Sequence, residues 1–288
     1  MSWSLSAFAD EAGGSCDEQI AALQQAGLRH IDIRSMDGFN VTALPVEQAR
    51  QVKEKLDAAG ITVAMYGSPI GKIDIADDVE SDLAKLRHLA ELVPVLGCNA
   101  VRIFSYYNKQ ERPHDEWQGE SIHRLRQLRD TAKELGLVLY HENERHIFGD
   151  LADDVLVIAN EVRDGETFRL IFDFDNYNQS GENVWDNWQK LRDVTDAIHL
   201  KDSKDKQHVP VGQGTGFVRE ILADAVARGW QGPLSIEPHL SHSGAVAATG
   251  PSGVANQQYG KMSPNESFQA ACEVAKQLLA EVQAPVGQ

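Results

Sequence analysis

The sequence predicts a (β/α)8 barrel, and two regularities in its 288 residues support that fold class. Short runs of β-branched and apolar residues alternate with longer segments in which apolar residues recur at helical spacing. Several of these helical segments are followed by a glycine before the next strand, where the left-handed conformation that ends many helices is needed. A doubly wound open sheet would show the same alternation and is the alternative fold.

Eight strands are predicted, and their starts lie about 25 to 40 residues apart, which is the length of one strand–helix unit. They cover residues 4–8, 29–34, 61–66, 99–104, 137–142, 168–173, 195–200 and 233–237. No Pro-rich or Ser-rich linker interrupts this series. We therefore predict one domain over residues 1–288, in which eight strand–helix units close into a barrel.

The segments between the strands carry the signals of helices. Pro45 suits the first turn of the segment VEQARQVKEKLDAAG, because its missing N–H group would have no helical partner there. Apolar stripes at helical spacing predict two further helices, one through Leu83, Leu86, Leu89 and Ala90 and one through Ile122, Leu125, Leu128 and Ala132.

The charge of the chain limits its partners. The sequence contains 27 basic and 43 acidic residues, which leaves a formal net charge of −16. Such a field repels nucleic acid and anionic membranes, although a local basic pocket could still bind a small anion. No stretch approaches the roughly 18 consecutive apolar residues of a membrane span. We therefore expect neither a nucleic-acid partner nor a membrane partner.

The cysteines and the N-terminal segment bear on the cellular compartment. Cys16, Cys98 and Cys272 are odd in number and form no CxxC pair. The N-terminal segment MSWSLSAFADEAGG lacks the basic and apolar regions of a signal peptide. These features predict a reduced, cytoplasmic protein.

Two segments lie outside the strand–helix pattern. The longer one covers residues 241–260, and a loop of that length in a compact domain is typical of a functional lid or a disordered insert. The shorter one, GQGTG at 212–216, follows no predicted strand and lacks the GK[ST] of a phosphate-binding loop. We interpret it as a flexible turn.

The carboxyl ends of the last four predicted strands have the same chemical character. In a barrel the strand ends converge on one face, which is where active sites lie. The fifth strand ends at Glu142, the sixth at Asp173, the seventh near His199 and the eighth at Glu237. Three uncompensated carboxylates at one mouth would repel one another, whereas a divalent cation would neutralise them. The sequence therefore predicts a metal site formed by these four side chains.

The donor types narrow the choice of ion but leave alternatives for single positions. Three oxygen donors and one nitrogen donor suit Mn²⁺, our expected ion, or Mg²⁺, and are compatible with Co²⁺ and Zn²⁺. Each carboxylate taken alone could instead cap a helix, and His199 could be a hydrogen-bonded core histidine. Glu144 would replace Glu142 as the ligand if the strand register slipped, and Asp175 competes with Asp173 in the same way.

Further polar residues near the strand ends are candidates for binding substrate. They are Arg102, Lys72, Asn176, Lys201, Asp202 and His239. For most of them the alternative is a structural ion pair or a contact with solvent. Asp10 and Glu11 follow the first strand, and we expect them to cap the helix that begins near Asp17.

Several segments resemble one known family over nearly the whole chain. The segments HENE (141–144), DFDN (173–176) with the later Gln179 and Gly181, HLKD (199–202) and IEPHL (236–240) are similar to those of the sugar phosphate isomerases and epimerases, which share a xylose-isomerase-like barrel. SPIGK and VRIF extend the likeness towards the N-terminus. The resemblance implies a metal held by Glu142, Asp173, His199 and Glu237, two glutamates that double as acid/base groups beside a sugar carbonyl, and a homodimer.

The sequence departs from the best-known members of that family at two positions. Ketose 3-epimerases often carry His three residues after the aspartate of the sixth strand and Arg six residues after the histidine of the seventh. Here these positions hold Asn176 and Asp205. The identity of the substrate therefore stays open.

Apurinic-site endonucleases share the same barrel and bind three zinc ions, which requires additional histidines. The second strand of this chain offers Asp32 and Arg34 instead, and the third offers Tyr66. His208 resembles one nuclease ligand, but Lys206 stands where its acidic companion belongs. With too few ligands and a repulsive net charge, a nuclease is not expected.

The residues and the resemblance together predict a metal-dependent isomerase or epimerase of a sugar or a polyol-like keto compound. One of Glu142 and Glu237 would remove the proton next to the carbonyl, and the other or the same one would return it, while the metal stabilises the enediolate. A dehydratase or lyase would expel a β-hydroxyl from the same enediolate and is the nearest alternative. A catalytically silent, sugar-binding barrel is the alternative from another class.

Overall fold

A computed structural model describes residues 2–240 and 259–287, and it contains a closed barrel of eight parallel strands. Each barrel strand pairs with its neighbours in chain order, and the first strand pairs with the last. The strands are β1 (Ser4–Ala7), β2 (His30–Ile33), β3 (Thr62–Tyr66), β4 (Ala100–Ile103), β5 (Val138–Glu142), β6 (Phe168–Asp173), β7 (Ala197–Leu200) and β8 (Pro233–Ile236). The predicted barrel is confirmed, and the open doubly wound sheet is excluded.

Every barrel strand lies within its predicted range, but two short antiparallel hairpins are additions that the sequence analysis does not predict. Residues Ser35–Met36 pair with Phe39–Asn40 after β2, and Asp202–Lys204 pair with Gln207–Val209 after β7. The first turn contains Asp37-Gly38, a dipeptide that two-residue hairpin turns favour. The second turn has positive φ at two non-glycine residues, Asp205 and Lys206, and therefore lacks a sequence signal.

Helices alternate with the strands along the chain. They are α1 (Cys16–Ala26), α2 (Val46–Ala58), α3 (Glu80–Leu96), α4 (His114–Leu135), α5 (Ala152–Glu161), α6 (Phe174–Gln179), α7 (Val184–Leu191), α8 (Val218–Ala227) and α9 (Pro264–Glu281). Ser15 caps α1 in a capping box, in which its hydroxyl accepts the N–H of Glu18 and the Glu18 carboxylate accepts the N–H of Ser15. The expectation that Asp10 and Glu11 cap this helix is therefore wrong.

The interior of the barrel changes from apolar to charged along the strands. A small cluster of Met65, Tyr140, Ile171 and Ala197 packs inside the barrel, separate from the main core between strands and helices. Side chains two residues apart on a strand face the same side. Two residues beyond Tyr140, Ile171 and Ala197 come Glu142, Asp173 and His199. The apolar layer thus lies directly beneath three of the predicted metal ligands.

The segment SPIGK follows β3 and is hydrogen-bonded to the residues that follow β4. Its glycine, Gly71, cannot be replaced by another residue without distortion. Gly71 has a φ of 86°, and a Cβ added there would collide with the carbonyl group of Phe104. The N–H of Phe104 donates to the carbonyl of Ile70 at 2.8 Å, and the N–H of Tyr106 donates to the carbonyl of Gly71 at 2.7 Å. This close approach fixes the position of the neighbouring Lys72.

Gly71→Ala is expected to destabilise the protein more than Gly97→Ala, which serves as a matched control. Gly97 also has a positive φ, 73°, but a Cβ there would meet open space. Both variants incur left-handed strain of about 1–2 kcal/mol, and Gly71→Ala adds an overpacking cost of about 1–3 kcal/mol. Urea unfolding measures both free energies, and equal losses would show that the Phe104 contact is not constraining.

Two sequence predictions concern long segments and membranes. Residues 241–258, most of the stretch interpreted as a lid or insert, lie outside the described residues, so that interpretation stays a prediction. Within residues 2–240 and 259–287, no helix has both the length and the apolar character needed to cross a membrane.

Candidate metal centre

The four predicted metal ligands meet at the carboxyl ends of four consecutive strands. Glu142 and Asp173 are the last residues of β5 and β6, His199 is the third residue of β7, and Glu237 directly follows β8. One ligand atom of each side chain lies within 4.8 Å of the corresponding atoms of the other three. All four residues are at most 2% exposed. The structure therefore brings the four side chains together in a buried cluster.

One ring nitrogen of His199 faces all three carboxylates. Its Nδ1 lies 3.1 Å from Glu142 Oε1, 3.4 Å from Glu237 Oε2 and 4.0 Å from Asp173 Oδ2. Burial alone would lower the pKa of His199, but the charge of Glu142 and the hydrogen bonds to both glutamates outweigh burial and raise it to about 10. Without a metal, a protonated imidazole therefore supplies positive charge to the cluster.

The donor set of this cluster fits a divalent cation. Glu142 Oε2, Asp173 Oδ2 and Glu237 Oε2 are buried, and the described residues meet them through ion-pair contacts with Arg102, Lys201 and His199 at 3.1–3.4 Å rather than through well-aligned hydrogen bonds. Carboxylate oxygens combined with one imidazole nitrogen suit Mn²⁺ and Mg²⁺ and also occur around Zn²⁺ and Co²⁺. The chemistry of the donors, their spacing and their burial agree with the predicted site.

The carboxylate of Asp173 combines two functions that the sequence analysis treats as alternatives. Its Oδ1 accepts the N–H of Asn176 at 2.8 Å and so caps α6. Its Oδ2 faces the cluster, where the ammonium group of Lys201 lies 3.1 Å away. Asn143 fixes the backbone beneath it, because its side chain exchanges two hydrogen bonds with the main chain of Asp173. Asp173 is therefore both the cap of α6 and a candidate metal ligand.

Cations from the barrel interior compensate part of the negative charge. Nη1 of Arg102 lies 3.2 Å from Glu142 Oε2 and 3.2 Å from Glu237 Oε1, so one nitrogen bridges both glutamates. Lys201 lies 3.8 Å from Glu237 Oε2. Burial alone would raise the pKa of Glu142, but His199 and Arg102 outweigh it and lower that pKa to about 2. Arg102 and Lys201 therefore provide part of the charge compensation that the sequence led us to expect from a divalent cation.

Arg34 is a third compensating cation, and the sequence analysis does not assign it to the site. Its Nη1 donates to Glu237 Oε1 at 2.9 Å, while Nε and Nη2 bind both oxygens of Asp10 at 2.9 and 2.8 Å. Glu11 lies 3.4 Å from the same guanidinium group. Arg34 follows β2, and the two acids follow β1. Because all three residues follow barrel strands, they too are expected at the mouth of the barrel.

The remaining substrate-binding candidates lie around the cluster in different relations to it. Asn176 donates to the carbonyl of Asn143 at 2.8 Å and lies 3.4 Å from Glu142 Oε1. His239 is oriented by Glu11, whose Oε1 lies 2.8 Å from Nδ1, and its Nε2 lies 3.8 Å from Glu237 Oε1. Both side chains therefore border the cluster directly.

The alternative ligands Glu144 and Asp175 have partners of their own. Glu144 pairs with Lys72 at 2.8 Å, and each of these two side chains is 17% exposed. Asp175 Oδ2 lies 3.1 Å from Nδ1 of the buried His208. Neither acid belongs to the four-residue cluster. The geometry therefore favours Glu142 and Asp173 over these neighbours.

Asp202 organises a loop, whereas the sequence suggested either a contact with substrate or a structural ion pair. Its Oδ1 accepts the N–H groups of Ser203 and Gly216 at 2.9 and 3.1 Å, and its Oδ2 accepts those of Gly212 and Gly214 at 3.0 and 2.9 Å. Four hydrogen bonds use the four lone-pair directions of a carboxylate. The GQGTG segment is thus held around Asp202, and this arrangement disfavours Asp202 as a substrate ligand.

The fold and the cluster together define a class of protein, a (β/α)8 barrel with a buried carboxylate–imidazole centre at its mouth. The sequence model of the xylose isomerase-like TIM barrel family matches residues 20–277, and the chain belongs to this family. The family resemblance inferred from the sequence is thereby confirmed. No curated protein matches the chain.

Solved structures share the barrel at low sequence identity. A D-allulose 3-epimerase from Methylomonas sp. has a TM-score of 0.73 and 16% identity, with 96% of this chain and 98% of that chain covered. The probable 3-DHS dehydratase AsbF from Bacillus anthracis has a TM-score of 0.70 and 17% identity, covering 96% and 99%. The IolI protein, solved with a zinc atom, has a TM-score of 0.74 and 17% identity, covering 97% and 99%. These likenesses establish the shared fold.

Proposed function

We propose that this chain is a divalent-metal-dependent isomerase or epimerase that transfers a proton at the carbon next to the carbonyl of a sugar or a polyol-like keto compound. The observation that carries the proposal is the pairing of Glu142 and Glu237 in one buried cluster. They come from β5 and β8, and Nη1 of Arg102 lies 3.2 Å from an oxygen of each. Two carboxylates converging from different strands suit proton transfer on either face of a bound substrate.

In this proposal Glu142, Asp173, His199 and Glu237 hold the ion, which we expect to be Mn²⁺, with Mg²⁺, Co²⁺ and Zn²⁺ as alternatives. The bound ion supplies Lewis-acid polarisation of the substrate carbonyl. The zinc atom in the IolI structure supports the choice of a divalent ion for this barrel.

The two glutamates accept and return the proton. Burial would raise the pKa of Glu237, but Lys201 and Arg102 outweigh it and hold that pKa well below its usual range. Glu142 also stays ionised, so both carboxylates are available as proton acceptors at neutral pH. Two opposed bases give epimerisation, whereas one base that moves a proton between adjacent carbons gives aldose–ketose isomerisation.

The substrate in this proposal is a small polyhydroxylated molecule. Asn176, Lys201, Arg102 and His239 contact or border the cluster, and Lys72 pairs with the nearby Glu144; all five side chains carry N–H donors that can bind hydroxyl and carbonyl oxygens. The net charge of −16 supports a substrate other than nucleic acid. The three cysteines are buried and form no disulfide, which supports the cytoplasmic location that we propose.

Deuterium incorporation tests the proposed function. The protein, loaded with Mn²⁺ in D₂O, is incubated with a panel of aldoses and ketoses, with and without phosphate groups, and the products are followed by proton NMR. The proposal predicts that a converted sugar loses the signal of the proton next to its carbonyl and gains deuterium there. Protein stripped with EDTA serves as the control and should leave every signal unchanged.

The products distinguish the reaction types. An epimer or an aldose–ketose pair that carries the label supports the proposal, while labelled product with loss of water identifies the dehydratase or lyase alternative. Full turnover without label indicates hydride transfer or a shielded proton, and the paired-base assignment then fails.

A further inference from the structure

The second ring nitrogen of His199 has no hydrogen-bond partner among the described residues. Because Nδ1 faces the carboxylates, Nε2 points away from them, and it is fully buried. A histidine that binds a metal usually donates its other N–H to a carboxylate, a carbonyl or a water. A buried N–H without an acceptor destabilises the folded state. His199 therefore needs an acceptor on the side opposite the metal.

Asp32 offers an acceptor that is also without a partner. This residue of β2 is 1% exposed, its Oδ2 accepts the hydroxyl of Ser6 at 2.6 Å, and its buried Oδ1 accepts no hydrogen bond from the described residues. The pairing of β2 with β3 shifts register between Ile31 and Asp32. Such irregularities redirect side chains next to functional sites. Asp32 is outside the metal cluster, and its Oδ1 is a buried acceptor without a hydrogen-bond partner among the described residues.

The register of the barrel connects Asp32 with His199. His199 of β7 is the direct partner of Ser235 on β8, and Ser235 is the direct partner of Ser6 on β1. The hydroxyls of the two serines lie 3.2 Å apart, and Ser6 binds Asp32. Burial raises the pKa of Asp32, and the two neighbouring serine hydroxyls and the charge of His199 oppose that rise. One polar layer of the barrel thus contains both unsatisfied groups.

We propose that Asp32 is a positioning residue for His199, whose Nε2–H it accepts on Oδ1 through one buried water. A donor and an acceptor that both lack partners, with Ser235 beside them, give such a water three polar neighbours. The bond holds the proton on Nε2, and Nδ1 then keeps its lone pair for the metal. This inference rests on the proposed metal site.

Metal affinity and the ring tautomer of His199 test this role. Asp32→Ala is expected to weaken Zn²⁺ and Mn²⁺ binding by about 10–100-fold in calorimetry, and Asp32→Asn, which keeps an oxygen acceptor, should recover part of that loss. Tyr66→Phe is the matched control, since it removes a buried hydroxyl from the neighbouring strand and should leave affinity unchanged. Long-range proton–nitrogen NMR of the Zn²⁺ form should show the proton on Nε2 in the wild type.

The outcomes separate this inference from the metal site itself. Asp32→Ala with wild-type affinity and an unchanged tautomer overturns the positioning role while the metal site stands. A wild type that binds neither ion overturns the metal site and the positioning role together. If Asp32→Ala does not fold, a high-resolution crystal structure of the wild type decides: a water within hydrogen-bond distance of both Nε2 and Oδ1 supports the role, and its absence contradicts it.

Discussion

Replacing either Glu142 or Glu237 by Gln is expected to slow turnover of the substrate by at least ~10²–10⁴-fold, the usual contribution of a general acid or base. The substitution keeps the shape of the side chain but removes the proton acceptor and one negative charge from the cluster. Steady-state rates on the sugar identified by deuterium labelling measure the loss. Both variants should also exchange the substrate proton with solvent more slowly.

Glu144→Gln is the matched control for these variants. It alters a glutamate two residues beyond Glu142 whose partner is Lys72 rather than the cluster. A loss of less than about tenfold is expected for Glu144→Gln, because it leaves both proposed bases intact. If Glu144→Gln lost most of its rate and Glu142→Gln kept it, the alternative assignment of Glu144 would replace the one made here.

The second large effect concerns metal-dependent stability. Saturating Mn²⁺ at 100 times its Kd should stabilise the wild type by about 2.7 kcal/mol, which raises Tm by roughly 4–5 °C for a chain of this size. His199→Ala should abolish that shift, because it removes the nitrogen donor at the centre of the three carboxylates. Thermal unfolding with Mn²⁺ and with EDTA measures both values.

His30→Ala controls for the loss of any histidine from a strand. His30 is the first residue of β2, at the opposite end of the barrel, and its ring binds Thr62. This variant should keep the full Mn²⁺-dependent rise in Tm. An equal rise in His199→Ala would mean that the ion binds elsewhere.

The positions of the strands and of the metal cluster could be predicted from sequence because both depend on local patterns. Apolar periodicity and glycines place each strand, and a closed parallel barrel brings consecutive strand ends to one mouth. That topology alone places Glu142, Asp173, His199 and Glu237 together, although 95 residues separate the first from the last along the chain.

Strand ends place Arg34, Asp10 and Glu11 at the barrel mouth, but which charged side chains pair with one another there could not be predicted, because the pairing depends on closure of the barrel. Arg34 reaches Glu237 across a sequence separation of 203 residues, and this contact forms only when β1 pairs with β8. The sequence suggested that Asp10 and Glu11 cap the next helix. In the structure Ser15 caps α1 together with Glu18 instead. Asp202 was ambiguous for a similar reason, since the glycines that bind it are 10 to 14 residues further along the chain.

The most direct test of the proposed metal centre is a crystal structure of the protein grown with Mn²⁺ and measured for anomalous scattering, together with elemental analysis of the same sample. We predict one ion per chain, with a single strong anomalous peak among Glu142, Asp173, His199 and Glu237. A well-ordered structure with Mn²⁺ in the crystallisation solution and no peak at these four side chains would contradict the metal site and the mechanism built on it.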